Sequence, residues 1–148
     1  MKAEELFEYL KGTWKITKTL GDLGIASGEA KIIPNQEGYL HYREDVLITI
    51  NNSEVKGYKE YLYSMKDDVL SKHFTDLNLF YHLNLGQYSA TGHHQCSEDH
   101  YDASYAFLAD NSFTLEYKVH GPKKDYIIST EFVRMIKDPL LMGLATDE

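Results

Sequence analysis

Three imidazoles, the only thiol and a carboxylate crowd into eight residues of this chain, as His93, His94, Cys96, Asp99 and His100. Side chains of these types can ligate a metal, pair as nucleophile and base, or orient a bound molecule by hydrogen bonds. His94 and Cys96 stand two apart, which on a strand puts imidazole and thiol on one face. There they could converge on zinc or a haem iron. Structural zinc takes four ligands, however, and no second Cys/His pair occurs at standard spacing, so no metal is assigned. Nucleophilic catalysis has less support still. No Gly-x-Ser-x-Gly is present, and spacing alone does not align a thiol with its base. A glycine-rich phosphate loop is also missing.

A second set overlaps the first: Asp99, Tyr101, Tyr105, Lys124, Asp125 and Tyr126. A tyrosine pointing into a small barrel offers an apolar ring with a polar tip, suited to holding a ligand by a few directed hydrogen bonds. The residues expected to bind a ligand are therefore His94, Cys96, Asp99, Tyr101, Tyr105, Lys124 and Tyr126. Lys124 and Asp125, at a turn, also fit a solvated ion pair of little weight. Arg43 shares a strand face with Tyr39, His41, Asp45 and Leu47. The opposite face carries Leu40, Tyr42, Val46 and Ile48, so Arg43 is expected to point outward and Glu44 to interrupt the inner face.

These groups need strands to hold them. Tyr101, Ala103, Tyr105 and Phe107 alternate with Asp102, Ser104 and Ala106, the period of a half-buried strand. The residues 109–112 make a turn, and Phe113, Leu115, Tyr117 and Val119 alternate along the next strand. Gly121-Pro122 turns the chain again into a strand carrying Tyr126, Ile128, Thr130 and Phe132. Upstream, residues 2–10 favour a short helix with Leu6, Phe7 and Leu10 on one face, ended by Gly12. Strands are then expected at 13–20, 28–34, 39–50, 55–64, 69–75 and 79–85, with 86–92 a looser connection and the tail after Asp138-Pro139 peripheral. On the first of them Trp14, Ile16, Lys18 and Leu20 share a side. About eight to ten short strands joined by tight turns argue for an antiparallel up-and-down barrel, closed so that no edge is left exposed.

Composition excludes several function classes. At 148 residues the chain is expected to be one domain, residues 1–148, around one core. Its net charge is −8 and only Arg43 and Arg134 are arginines, so neither nucleic acid nor an anionic membrane is an expected partner. One cysteine excludes an internal disulfide and fits a reducing compartment. MKAEELFEYL lacks the apolar core of a signal peptide, and no run is long enough to span a bilayer. A cytoplasmic protein is the expectation, with its oligomeric state open.

Two features resemble known barrels. Gly12-Thr13-Trp14, just after a short helix, is similar to the Gly-x-Trp motif of lipocalins and related calycins, and Arg134 stands where those barrels set an arginine over that indole. A longer pattern covers nearly the whole chain. Phe74…Asp76…Phe80-Tyr81-His82, then His94-x-Cys96-x-x-Asp99-x-Tyr101-x-x-x-Tyr105-x-Phe107, then Gly121-Pro122-x-Lys124-Asp125-Tyr126 resemble an uncharacterised, mostly bacterial lipocalin-like family, domain of unknown function 6314. Within that resemblance Tyr63 and Tyr117 replace a usual indole, and Tyr81 interrupts the Phe-His pair. The resemblance implies an all-β, calycin-type barrel with a short N-terminal helix, and no settled activity or cofactor.

The leading reading is a barrel that binds a small, partly apolar ligand in a tyrosine-lined cavity. One alternative is an enzyme of isomerase, cyclase or non-oxidative decarboxylase type, using His94 or Asp99 as base and tyrosine hydroxyls to stabilise an anion. Another is a protein-interaction module whose barrel is filled by its own side chains.

Overall fold

The computed structural model describes residues 1–135. The expected tail after Asp138 lies outside them. A helix, α1 (Ala3–Leu10), leads into eleven antiparallel strands: β1 (Gly12–Leu20), β2 (Ile25–Pro34), β3 (Leu40–Ile50), β4 (Ser53–Lys66), β5 (Val69–His73), β6 (Leu79–His82), β7 (Asn84–Leu85), β8 (Ser89–Cys96), β9 (Asp99–Ala109), β10 (Ser112–Gly121) and β11 (Lys124–Arg134). The order across the sheet is β6-β5-β4-β3-β2-β1-β11-β10-β9-β8-β7. Its two ends, β6 and β7, are consecutive in the chain and separated only by Leu83, whose amide donates to the Leu70 carbonyl at 2.9 Å. One kinked segment thus pairs with β5 on one side and β8 on the other, and the sheet rolls into a nearly closed barrel.

Local chemistry sets the turns. Asn51-Asn52 and Asp67-Asp68 both hold two successive residues at positive φ, the form that matches the twist of two-residue hairpins and that Asn and Asp tolerate. The stretch 86–92, expected as a loose connection, is a correction: β8 begins at Ser89. Its inward residues Ala90 and Gly92 are small because large rings occupy the space beside them, so no large-apolar alternation marks the strand. A Cβ on Gly92 would stand 2.2 Å from the Tyr81 ring.

α1 closes one end of the barrel. Leu6 and Leu10 are fully buried there, and Trp14 packs edge-on against Phe113 and Phe132. The last carbonyls of a helix lack partners within it. Here the first strand and the last strand supply them. Trp14 Nε1 donates to Leu10 O at 3.0 Å, while Arg134 donates to Tyr9 O at 2.7 Å and Lys11 O at 2.6 Å. The guanidinium lies 4.1 Å over the Trp14 ring, as the calycin resemblance implies. Gly12 has φ +134°, and a Cβ there would meet the Arg134 guanidinium at 2.9 Å. Both facts require glycine. At the opposite end, the hairpin turns of β3–β4, β8–β9 and β10–β11 surround a mouth with no helix over it.

Arg134→Lys retains a charge but not the planar fork that reaches two carbonyls and an indole at once. We expect it to cost about 2–3 kcal/mol in denaturant unfolding, from two buried carbonyls that lose their donors. An unchanged midpoint would mean that the helix end is satisfied by other means.

Candidate functional site

The barrel interior is built of phenols around one amine. Tyr63, Tyr81 and Tyr105 are fully buried, and Tyr117 is partly so. Their hydroxyls form a chain: Tyr63 to Tyr105 at 2.9 Å, Tyr105 to Tyr81 at 2.6 Å, and Tyr81 to Tyr117 at 2.7 Å. Lys72 ends it, with Nζ 2.8 Å from the Tyr117 hydroxyl. Lys72 is 2% exposed and surrounded by rings, with Nζ 4.2 Å from the Tyr61 centroid and 5.3–5.4 Å from those of Tyr42, Tyr63 and Tyr117. Burial in this low-dielectric surrounding drives its pKa well below that of an ordinary lysine, against the pull of Glu44 and with the push of Lys18 and Lys59. Burial also holds Tyr63, Tyr81, Tyr105 and Tyr117 well above the usual phenol range, so they stay protonated.

Glu44 has a different partner. Its Oε2 accepts from Lys18 Nζ at 2.7 Å and its Oε1 from the Tyr42 hydroxyl at 2.6 Å, all three residues being buried. Lys18 stands on β1 and Glu44 on β3, with β2 between them. They meet because β2 offers only Ala26, Gly28 and Ala30 to that part of the interior, leaving room for two long side chains to bridge above it. Arg43 points outward, as expected, and is held by Asp45 and Glu60.

The histidine-rich segment is divided by strand alternation. His93 and His100 lie on the outer wall, where Asp102 accepts from His93 at 2.6 Å and from His120 at 3.0 Å. His94 faces the mouth. Its ring sits 5.2 Å from Phe80, 5.8 Å from Phe74 and 5.9 Å from Tyr101, and neither of its nitrogens bonds to another described residue. Tyr61, Phe74 and Tyr117 stack with Phe80, and the Tyr61, Phe80 and Tyr117 rings also border Lys72 Nζ. Cys96, two residues beyond His94 on the same strand, is exposed at the end of β8. Among the described residues no three His, Cys, Asp or Glu side chains are arranged to hold a metal ion.

Other expected site residues sit at the rim or the floor. Lys124 pairs with Asp99 at 3.1 Å and donates to the Tyr101 hydroxyl at 3.0 Å, rather than forming the turn pair with Asp125. The reason is register: the 121–124 turn brings β11 alongside the start of β9, across the end of β10. Tyr126 is 40% exposed. Tyr105 lies deep, its hydroxyl already bonded to two phenols. The residues that sequence reading missed are Lys72, Lys18 and Glu44 as a set. Their signal was present in part, since Lys18 shares the Trp14 face and Glu44 the Tyr42 face. A cation and an anion each interrupting an inward apolar face are candidates to find each other.

The model of the family of unknown function DUF6314 matches residues 10–134. The chain belongs to that family. No functionally curated protein matches it. Among solved structures, this DUF6314 member is similar to an S-type phycobiliprotein lyase, CPES, from Guillardia theta, at 11% identity and a TM-score of 0.66, over 93% of this chain and 95% of the other. It is also similar to a protein of unknown function of the DUF3598 family from Nostoc punctiforme, at 11% identity and a TM-score of 0.55, over 87% of this chain and 49% of that one. At such identities the likeness is one of fold alone, an antiparallel β-barrel. No helix among the described residues is long and apolar enough to cross a membrane.

The burial of Lys72 leaves a measurable mark on stability. Below its ordinary pKa the unfolded lysine is protonated, whereas the folded one resists protonation, so the unfolded state binds more protons. Stability therefore rises with pH through the window between the lowered folded value and the ordinary one, by up to about 1.4 kcal/mol per pH unit. Lys72→Met removes that slope, and also the partner of the Tyr117 hydroxyl, a cost that does not vary with pH in this range. The stability of the variant relative to the wild type should therefore fall as pH rises from neutrality towards 10. A gap between the two proteins that stays constant with pH would contradict the assignment.

Proposed function

We propose that this protein binds a small, partly apolar ligand at the mouth of the barrel, opposite the end closed by α1. The observation that carries this reading is His94, half-buried among Phe74, Phe80 and Tyr101 with no hydrogen bond to another described residue. Rings that are half-buried and clustered offer a flat apolar surface, and an unbonded imidazole beside them offers a donor and an acceptor. Tyr101 and Lys124, joined at the rim by Asp99, add a cation and a phenol at the edge of the same cluster. The ligand would lie against the rings of Tyr61, Phe80 and Tyr101, with a polar group directed to His94. Cys96 and Tyr126, nearer solvent, would contact only a ligand that extends over the rim. Likeness of fold to an S-type phycobiliprotein lyase accords with a binding role for such a barrel, without identifying the ligand. Placement in the cytoplasm fits the single unpaired cysteine.

Nothing in the geometry favours the catalytic alternative specifically. Asp99, one of its two proposed bases, is engaged by Lys124. The packed phenol layer fills the middle of the barrel, as the filled-barrel alternative requires, and restricts a ligand to the mouth, where Phe74, His94 and Tyr101 are half-buried.

Native mass spectrometry of freshly purified protein, beside its denatured mass, tests the reading. A bound small molecule should appear as a mass difference, and His94→Ala should reduce its occupancy about tenfold, for the loss of one hydrogen bond and its ring contact. His94→Asn should reduce it less, since an amide keeps a donor and an acceptor. Equal ligand load in the folded His94→Ala protein would remove His94 from the site.

A further inference from the structure

The hydrogen-bond chain has a direction, and counting its protons fixes that direction. It has five members and four links: Tyr63, Tyr105, Tyr81, Tyr117 and Lys72. Each phenol carries one proton to donate. If Lys72 were an ammonium it would donate to Tyr117, and the four phenol protons would have only three phenol–phenol links to fill, so one of them would have no acceptor among the described residues. Two further ammonium protons would face only rings, with no carboxylate in ion-pair range. Run the other way, the Tyr63 proton goes to Tyr105, the Tyr105 proton to Tyr81, the Tyr81 proton to Tyr117, and the Tyr117 proton to the lone pair of a neutral amine. Every phenol proton is then used, and the two remaining N–H groups rest against the ring faces. An unsatisfied buried hydroxyl is costly enough to favour the second arrangement.

A neutral, buried lysine in a hydrophobic surround is a nucleophile. We infer that Lys72 condenses with an apolar aldehyde bound at the mouth, forming a Schiff base beneath the aromatic cluster. This rests on the ligand-binding reading above and narrows it to a class of ligand, a carbonyl compound with a flat apolar body. Tyr61 and Tyr117, which flank Nζ, are themselves partly exposed, whereas Lys72 is buried, so the aldehyde reaches the amine by displacing these rings.

The step balances within the site. The Nζ lone pair attacks the carbonyl carbon, the carbonyl π pair moves to oxygen, and that oxygen takes the Tyr117 proton. The phenolate recovers a proton from the nitrogen, leaving a carbinolamine. A second donation from Tyr117 releases the hydroxyl as water while the C=N bond forms, and the last N–H proton returns to Tyr117. Amine and aldehyde give imine and water, with Tyr117 unchanged and no oxidant or reductant involved.

The test uses 2-naphthaldehyde near pH 7 with borohydride reduction, followed by intact mass and peptide mapping. The parallel probe is 2-naphthalenemethanol, which has the same body and cannot condense, titrated calorimetrically. An exposed lysine is neutral in only roughly 0.04% of molecules at pH 7, so Lys72 should be labelled roughly tenfold or more above the mean of the exposed lysines. The alcohol should compete with that labelling, and Lys72→Arg should abolish it. Tyr117→Phe should slow labelling without moving its position. Adducts spread over exposed lysines, with Lys72 unlabelled while the alcohol still binds, would overturn the Schiff base and leave the ligand site standing. If the alcohol does not bind and Lys72 is unlabelled, the inference fails together with the reading it rests on. The wild-type peptide map decides the position even if a variant does not fold.

Discussion

Four phenols and an amine share the interior of this barrel, and they satisfy one another because three of the phenols and the amine are fully buried. That constraint organises the middle layer of the fold. Phenol oxygens 2.6–2.9 Å apart must stand at the crossing of strands from opposite walls, β4, β6, β9 and β10, so the chain ties together strands that are not neighbours in the sheet. Room for it is made by absence. Gly92 gives up its side chain so that the Tyr81 ring can lie against β8. A purely apolar filling would be easier to pack; this one specifies position and proton direction as well, and it delivers a lysine to a place where charge is penalised.

The two ends of the barrel are unlike for a related reason. At the α1 end the carbonyls of Tyr9, Leu10 and Lys11 are met by Trp14 or Arg134, and aromatic rings fill the space beneath. At the other end Phe74, Tyr61 and Tyr101 are only half-buried around a buried Phe80, and His94 makes ring contacts but no hydrogen bond to another described residue. The interior charge is also unlike the exterior. The chain carries −8 overall, yet Lys18 and Lys72 are buried against a single buried carboxylate, Glu44, which Lys18 and Tyr42 already occupy. A ligand entering the mouth therefore approaches an amine that no carboxylate neutralises.

Much of the architecture was legible in the amino-acid order. Strict alternation from Tyr101 to Phe132 gives the three C-terminal strands and the burial of Tyr105, Phe113, Leu115 and Phe132, and Gly12-x-Trp14 with Arg134 gives the closed end. β8 was harder to read because the residues that make it a wall, Ala90 and Gly92, are chosen for smallness, and smallness has no period that stands out. Lys72 was hidden for a different reason. In Val69-Leu70-Ser71-Lys72-His73 it looks like one polar residue on a short strand, and only the closure of the sheet shows that Leu70 and Lys72 share the inward face. The pairing of Asp99 with Lys124 depends on two hairpin registers at once, and local spacing near Asp125 could not reveal it.

The central claim is that the hydrogen-bond chain ends on a neutral amine. The most direct measurement is the NMR titration of the Lys72 side chain through its Cε and Nζ shifts, assigned by comparison with Lys72→Met. The account predicts a Lys72 signal already at the neutral-amine position near pH 7, while the other lysines remain protonated until about pH 10. A Lys72 signal that stays at the ammonium position and titrates with the surface lysines would contradict it.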